Sequence, residues 1–134
     1  MIFYILRGVP GCGKSTLAKN LAGEKGAVCE ADRYFISDYD GVYHFDAKKL
    51  GLAHGWCKDI TRNAMEAQRP VVVLSNTNTN PKDFAPYEEM AKEFGYTVFH
   101  LIVENRHGGT DSHNVPEESL RRMEETIRAN IQLR

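Results

Sequence analysis

Short apolar runs alternate along the chain with segments in which apolar residues recur three and four positions apart. The runs suit strands that are buried on both faces of a parallel sheet. They cover residues 2–7, 27–31, 71–74 and 96–103. The recurrent spacing is typical of amphipathic helices, and it covers residues 14–24, 47–68, 80–94 and a last segment from 114 onward. A strand followed by a helix, repeated in this way, predicts an α/β fold: a single domain with a parallel sheet of about four strands and helices on both faces.

The helical spacing also predicts which side chains face the core. These are Leu17, Ala18, Leu21 and Ala22 in the first helix; Ala53, Trp56, Cys57, Ile60, Ala64 and Ala67 in the second; Phe84, Tyr87, Ala91 and Phe94 in the third; and Leu120, Met123, Ile127 and Ile131 in the last. Asn80 and Asp83 form a capping-box-like pair, and Pro86 predicts an irregular first turn in the third helix. An Asp40-Gly41 turn signal predicts a small hairpin or excursion before the second helix.

The first strand runs directly into a glycine-rich segment, residues 8–16, that matches the phosphate-loop pattern G-x-x-x-x-G-K-[ST]. Its glycines let backbone N–H groups turn inward around phosphate oxygens, and the helix dipole that follows favours the same anion. Lys14 can reach the β- and γ-phosphates, and the Ser15 hydroxyl can ligate Mg²⁺. The pattern therefore predicts ATP and Mg²⁺ as ligands, against the alternative of a structural turn. The predicted nucleotide-binding residues are Gly8, Pro10, Gly11, Cys12, Gly13, Lys14, Ser15 and Thr16.

Composition narrows the class of protein further. The 134 residues, 42% hydrophobic and 26% charged, suit one domain over residues 1–134. A net charge of −1 argues against a protein that coats long nucleic acids, but it allows a local basic pocket for one strand end. No membrane span or signal peptide is expected, and no protein partner can be inferred. Three cysteines without metal-type spacing predict reduced thiols and a cytoplasmic location.

Two further strand ends are expected at the same edge of the sheet as the glycine-rich segment. Asp32 follows the second run, where a carboxylate can accept the proton of an attacking hydroxyl. Its alternatives are a helix N-cap and a ligand of Mg²⁺-bound water. Asn76, Thr77 and Asn78 follow the third run, where they can orient Asp32, the metal's water shell or an acceptor, or can simply serve turn and cap chemistry.

A polar, glycine-containing loop over about residues 104–115 precedes the last helix and predicts a lid. Arg106 in this loop can fold over the triphosphate and stabilise developing charge; the alternative is a solvated surface arginine. His107 and His113 are interpreted as loop residues rather than metal ligands, because no other ligand stands at a suitable spacing.

Several other side chains are weaker candidates for acceptor binding. Cationic residues that can contact an anionic acceptor are Arg33, Lys48, Lys49, Lys58 and Arg62, although most charges on a helix are its solvated face. Tyr39 and Tyr43 are candidates for stacking on a base, whereas Trp56 falls on an apolar stripe and is expected in the core.

Taken together, these motifs resemble the kinase domain of bacteriophage polynucleotide kinases and related P-loop kinase domains, over most of the chain. Residues 8–16 resemble that family's G-x-P-G-S-G-K-S-T, with Cys12 in place of its usual Ser. Residues 31–34 resemble its D-D-Y segment, residues 75–81 its S-D-T-N-x-N-P, and Arg106 ahead of Val115-Pro116 its R-N…V-P lid. The resemblance implies that Asp32 is the general base for a 5′-hydroxyl and that Arg106 is the lid arginine.

The chain departs from the family pattern at two positions. Asn76 replaces an acid, and Phe35 stands where the family has an arginine that contacts the acceptor phosphate. Arg33, Asn76 and Asn78 are the predicted acceptor-binding residues, and the chain has no room for the phosphatase domain of fused enzymes.

The sequence therefore predicts an ATP- and Mg²⁺-dependent kinase that phosphorylates a hydroxyl, the 5′-hydroxyl of DNA or RNA ends in first place. Lys14, Asp32 and Arg106 are its predicted catalytic residues, and Ser15 its metal ligand. Two alternatives stay open: a nucleoside, nucleotide or other small-molecule kinase, and a nucleotide-dependent ATPase or binding module without an acceptor. A structural nucleic-acid-binding protein is disfavoured by the acidic balance and short length.

Overall fold

A computed structural model describes residues 1–106 and 115–133 of the chain. Strands and helices alternate in this part, as β1 (Ile2–Arg7), α1 (Lys14–Ala22), β2 (Ala27–Cys29), α2 (Leu50–Glu66), β3 (Val71–Ser75), α3 (Pro81–Phe94), β4 (Thr97–Ile102) and α4 (Glu117–Asn130). Within the described residues, the strands form one parallel sheet of four in the order β2-β3-β1-β4. The predicted α/β fold with a four-stranded parallel sheet is confirmed.

The sheet separates two apolar layers, because successive strand residues point to opposite faces. Phe3 and Ile5 of β1 pack in the larger layer with the buried residues of α2 and α3. Leu6 and Val73 pack on the other face with Ala18 of α1. Among the described residues, no helix is long and apolar enough to cross a bilayer.

β2 ends at Cys29, two residues earlier than the apolar run predicts. Residues Ala31–Phe35 instead form a 3-10 helix. The Ala31 N–H donates to Asn76 Oδ1 at 2.9 Å, so a side chain of the neighbouring loop takes the place of a strand partner. Asp32 therefore lies on a short helical turn and not on the strand itself.

The segment before α2 is more irregular than the sequence pattern indicates. The predicted hairpin is reduced to one antiparallel bridge between Ile36 and Tyr43. The first turn of the predicted second helix is a separate 3-10 turn, Ala47–Lys49, capped by Asp46. At the other end, Ala67 lies outside the helix and is exposed, which contradicts its predicted place in the core.

α3 begins with the predicted capping box: the Asn80 side chain accepts from the third helical N–H, and the Asp83 side chain accepts from the Asn80 N–H at 3.1 Å. The predicted irregularity at Pro86 is wrong, because the helix runs from Pro81 to Phe94 without interruption. A proline so near the start removes only the bond to the Lys82 carbonyl and has little preceding helix to clash with.

α4 is held by one buried apolar residue and by polar contacts. Ile127 is buried, whereas the predicted core residue Ile131 lies beyond the helix and is 49% exposed. Asn130 donates to the Thr79 carbonyl at 2.6 Å, and buried Arg7 donates to the Asn78 and Thr79 carbonyls at 2.8 and 3.0 Å. Arg7 also donates to Asn130 Oδ1. The expected cap at Asn114 lies outside the described residues.

Candidate functional site

The glycine-rich loop between β1 and α1 has the backbone conformation that its glycines predict. Gly11 and Gly13 have φ values of 84° and 99°, in the left-handed region that favours glycine. Gly8 is packed more tightly than a side chain allows, since a Cβ there would lie 2.7 Å from Cys12 Sγ and from the Val103 carbonyl oxygen. Cys12 is buried beneath the loop at 1% exposure, so its thiol packs against the loop and does not line the cleft.

Lys14 spans the inside of this loop. Its Nζ donates to the Val9 carbonyl at 3.0 Å and lies 3.7 Å from Cys12 Sγ. Burial lowers the pKa of Lys14, because desolvation disfavours the ammonium form. A bound polyphosphate would supply the negative charge that this ammonium lacks in the free chain.

Ser15 begins the contacts that join the loop to β2. Its hydroxyl donates to Glu30 Oε1 at 2.8 Å, and Glu30 pairs through its second oxygen with Arg33 Nε at 3.4 Å. Glu30 was not among the predicted site residues, although it directly follows β2 at the edge where Asp32 was expected. Its position two residues before Asp32 is the signal that could have identified it.

The hydroxyl of Ser15 and the carboxylate of Glu30 are hard oxygen ligands of the kind that Mg²⁺ binds together with substrate phosphates and water. β3 ends at Ser75, Asn76 follows it, and neither residue is an acid. In the part of the chain that the structure describes, no group of three or more His, Cys, Asp or Glu residues forms a metal cage. The residues present therefore fit a metal that is held largely by a nucleotide.

Asp32 lies in a cleft of about 320 Å³ together with Lys14, Ser15 and Glu30. The cap position of its 3-10 helix is occupied by Glu30, which removes the alternative that Asp32 is an N-cap. Electrostatic attraction between Asp32 and Lys14 raises the pKa of Lys14, although burial outweighs it. The phosphate loop and a candidate proton acceptor thus face one space.

The three predicted acceptor-binding residues occupy different places around this cleft. Arg33 lines it and also donates to the Val28 carbonyl at 3.3 Å. Asn76 lines it while its amide holds the 3-10 helix through Ala31. Asn78 is buried at φ 47° and donates to the Leu6 carbonyl at 2.8 Å, so its amide nitrogen supports the backbone; the residue lines a neighbouring pocket instead.

Arg106 is not brought to Asp32. Its Nε pairs with Glu104 at 2.8 Å, and its side chain is 83% exposed. It lines a separate, more apolar pocket of about 420 Å³ that is bounded by the loop residues Gly8 and Val9, by Ile102 and by Ile127 of α4. The rest of the predicted lid, including His107 and His113, lies outside the described residues.

Comparison with known proteins places this geometry in a family. Residues 3–129 match the family described as AAA domain (AAA_33). Human NEDD4-binding protein 2 is 34% identical over 100 residues, which cover 73% of this chain and 6% of that protein. The chain therefore spans about 6% of the length of this curated relative.

The fold is also found among solved structures. The Mycobacterium tuberculosis APS kinase CysC, in a complex with AMPPNP and APS, superposes with a TM-score of 0.53. The match covers 97% of this chain and 72% of that chain at 14% sequence identity. At that identity the likeness concerns the fold, which is that of a P-loop kinase.

Proposed function

The chain belongs to the AAA domain family that its residues 3–129 match, and from this we propose that it transfers the γ-phosphate of ATP to a hydroxyl group, the 5′-hydroxyl of a DNA or RNA end. Its kinase-like P-loop fold is that of a nucleotide-binding domain. One observation carries the proposal: Lys14, Ser15 and Asp32 line a single cleft of about 320 Å³. A carboxylate in the same cleft as the phosphate loop can accept the proton of an attacking hydroxyl.

The donor half of the site is the phosphate loop. Backbone N–H groups of residues 8–16 surround the phosphates, and Lys14 leaves the Val9 carbonyl to contact the β- and γ-oxygens. The apolar pocket next to Gly8 and Val9 continues from the loop and suits the base and ribose of the donor. Arg106 lines this pocket, from which it can move toward the triphosphate when the lid closes.

The metal half-site consists of Ser15 and Glu30. When bound, Mg²⁺ neutralises charge on the β- and γ-phosphates and orients them. Glu30 already holds the Ser15 hydroxyl at 2.8 Å, and Arg33 holds Glu30, so the ligand oxygens are oriented in advance. This acid takes the place of the one that β3 lacks at Asn76.

Asp32 serves the acceptor. The acceptor hydroxyl oxygen attacks the γ-phosphorus, its proton passes to the Asp32 carboxylate, and the bond to the bridging oxygen of ADP breaks. Asn76 acts on Asp32 indirectly, because its Oδ1 fixes the first N–H of the 3-10 helix that carries Asp32. Ser75 adds a buried hydroxyl that has no hydrogen-bond partner among the described residues and lines the same cleft.

The choice of a nucleic-acid end over a small molecule is supported by the order of motifs that includes Asp32, Thr77 to Pro81 and Arg106. The size of the cleft favours neither, because about 320 Å³ accommodates one nucleoside unit, free or at a strand end. A small-molecule kinase is therefore the second candidate. A nucleotide-dependent ATPase without an acceptor is the third.

An acceptor panel separates these candidates. The protein is incubated with γ-labelled ATP, Mg²⁺ and 5′-hydroxyl DNA and RNA oligonucleotides, nucleosides and nucleotides. We expect label on the oligonucleotides. Label on the small molecules alone contradicts the nucleic-acid assignment, and labelled inorganic phosphate without any labelled acceptor contradicts the kinase assignment.

A further inference from the structure

A second polar pocket, of about 260 Å³, opens between α2 and α3 beside the cleft that contains Asp32. Asn76 and Thr77 line both spaces, so the loop after β3 forms the wall between them. The outer walls carry His54 and Lys58 from α2 and Lys82 from α3. A molecule that places a hydroxyl at Asp32 can therefore extend around this loop into the second pocket.

Positive charge prevails in this pocket. Lys58 and Lys82 are exposed, and within residues 1–106 and 115–133 neither ammonium group has an ion-pair partner. One carboxylate, that of Asp83, borders the pocket, and it accepts from the Asn80 N–H at 3.1 Å in the capping box. The lysines are thus not neutralised by the walls around them.

Lys82 is placed against the ordinary electrostatic preference of a helix. It lies in the first turn of α3, a helix of 14 residues, where the macrodipole is positive and favours acidic side chains. An anion in the pocket gains from the dipole and from both lysines at once. The unfavourable placement of Lys82 in the free chain becomes favourable when that anion is bound.

The inner wall adds no negative charge. Tyr87 is 2% exposed, and its buried hydroxyl lies near the thiols of Cys57 and Cys29. Burial raises the pKa of Tyr87, so the phenol stays neutral at physiological pH. The pocket is therefore a cationic recess, with two lysines against the single carboxylate of Asp83, and it has the size of a phosphate group with its water shell.

We propose that this recess binds a phosphate group that the acceptor itself carries, with Lys58 and Lys82 as its specificity-determining residues. The inference rests on the proposed function for the position of the acceptor hydroxyl at Asp32. It goes further by assigning recognition of the phosphodiester next to the reacting nucleoside to Lys58 and Lys82. An acceptor with the same shape and no charge at that position should be phosphorylated poorly.

A matched pair of acceptors tests this: a 5′-hydroxyl dinucleotide with its natural bridging phosphate, and the same dinucleotide with a neutral methylphosphonate. We expect the native chain to prefer the natural dinucleotide by about tenfold or more in kcat/KM. The double variant Lys58→Gln/Lys82→Gln should lose this preference through a higher KM for the natural dinucleotide. The methylphosphonate rate should not change. The control Lys19→Gln/Lys92→Gln, which changes two exposed lysines outside this pocket and outside the cleft, should keep the native preference.

A binding measurement tests phosphate binding by the pocket independently of phosphoryl transfer. Inorganic phosphate is titrated into the protein with its phosphate loop saturated by Mg²⁺ and a non-hydrolysable ATP analogue, and the amide NMR signals of Thr77 and Asn78 are followed. Changes in these amide signals that occur in the native chain and are absent in the Lys58→Gln/Lys82→Gln variant support phosphate binding in the pocket. This result holds even if no nucleic acid is phosphorylated and the proposed function fails. If the native chain and the Lys58→Gln/Lys82→Gln variant phosphorylate the natural dinucleotide at equal rates, the proposed phosphate-binding role of the pocket is overturned. The proposed function is then unaffected.

Discussion

At the scale of single residues, the site is a set of polar groups that hold one another before any ligand arrives. Ser15 is bound to Glu30, Glu30 to Arg33, and Lys14 to the carbonyl of Val9. The bonds of Ser15 and Glu30 restrict the oxygens that would meet the metal before it binds, whereas Lys14 must leave the Val9 carbonyl to reach the phosphates. Two measurements distinguish this arrangement from ordinary surface pairing.

Glu30→Gln tests whether the carboxylate beside Ser15 belongs to the metal site. The amide keeps a hydrogen bond to the Ser15 hydroxyl but removes the negative charge, so we expect Mn²⁺ binding to the ADP complex to weaken by about tenfold. Electron paramagnetic resonance of free Mn²⁺ gives this affinity without any turnover. Glu24→Gln, an exposed acid beyond α1, is the control, and equal affinities for both variants would exclude Glu30 from the metal site.

Lys14→Met tests the burial of the loop lysine. Burial lowers the pKa of Lys14 in the folded chain below its usual value of 10.5. At pH values between this lowered pKa and 10.5, the unfolded chain therefore binds more protons than the folded chain. The free energy of unfolding of the native chain, relative to that of Lys14→Met, should therefore rise as the pH increases toward 10.5.

Urea unfolding at a series of pH values measures this difference. Lys19→Met changes an exposed lysine on the same helix and should give a difference that does not vary with pH. A flat difference for Lys14→Met as well would mean that Lys14 is solvated in the folded chain.

At the scale of elements, Arg7 joins three parts of the chain that are far apart in sequence. It leaves the end of β1, donates to the carbonyls of Asn78 and Thr79 in the loop before α3, and contacts Asn130 at the end of α4. Its guanidinium also lies 4.8 Å from the centre of the Phe84 ring. The loop that separates the cleft from the cationic recess is therefore fixed to the helix that borders the apolar pocket.

Arg7→Met removes these bonds and leaves the buried Asn78 carbonyl without its side-chain donor, whereas the Thr79 carbonyl keeps the bond from Asn130. We expect a loss of about 3 kcal/mol in the free energy of unfolding, measured by urea denaturation. Arg128→Met is the control, because Arg128 pairs with Glu124 on the exposed face of α4 and should cost about 0.5 kcal/mol or less. Similar losses in both variants would show that Arg7 is not a structural link.

The elements that the sequence predicted best are those with a strong period. β1, β3 and the bodies of α1 and α3 follow directly from apolar spacing and from the phosphate-loop pattern. The end of β2 was missed because a side chain of another segment decides it: Asn76 Oδ1 accepts from the Ala31 N–H. The start of α2 was missed because Asp46 caps a separate 3-10 turn ahead of the helix. Glu30 was missed for a similar reason: its partner Ser15 is 15 residues away, and no local pattern records that contact.

At the scale of the whole molecule, parallel strands bring the loops after β1, β2 and β3 to one edge of the sheet. The loop after β1 is the proposed phosphate-binding loop, the one after β2 carries Asp32, and the one after β3 divides the cleft from the cationic recess. The apolar pocket beside Gly8 adds a place for a base on the far side. The central claim is that donor and acceptor meet between these loops, with Asp32 opposite the phosphate that moves.

The most direct test of that claim is the single-turnover transfer of labelled γ-phosphate to a 5′-hydroxyl oligonucleotide by Asp32→Asn, measured beside the affinity of the same variant for an ATP analogue. Asp38→Asn, which changes an exposed acid outside the cleft, is the control. The account predicts that Asp32→Asn slows transfer by about 10²–10⁴-fold and leaves nucleotide affinity within about twofold, while the control does neither. Transfer at the native rate by Asp32→Asn would contradict it.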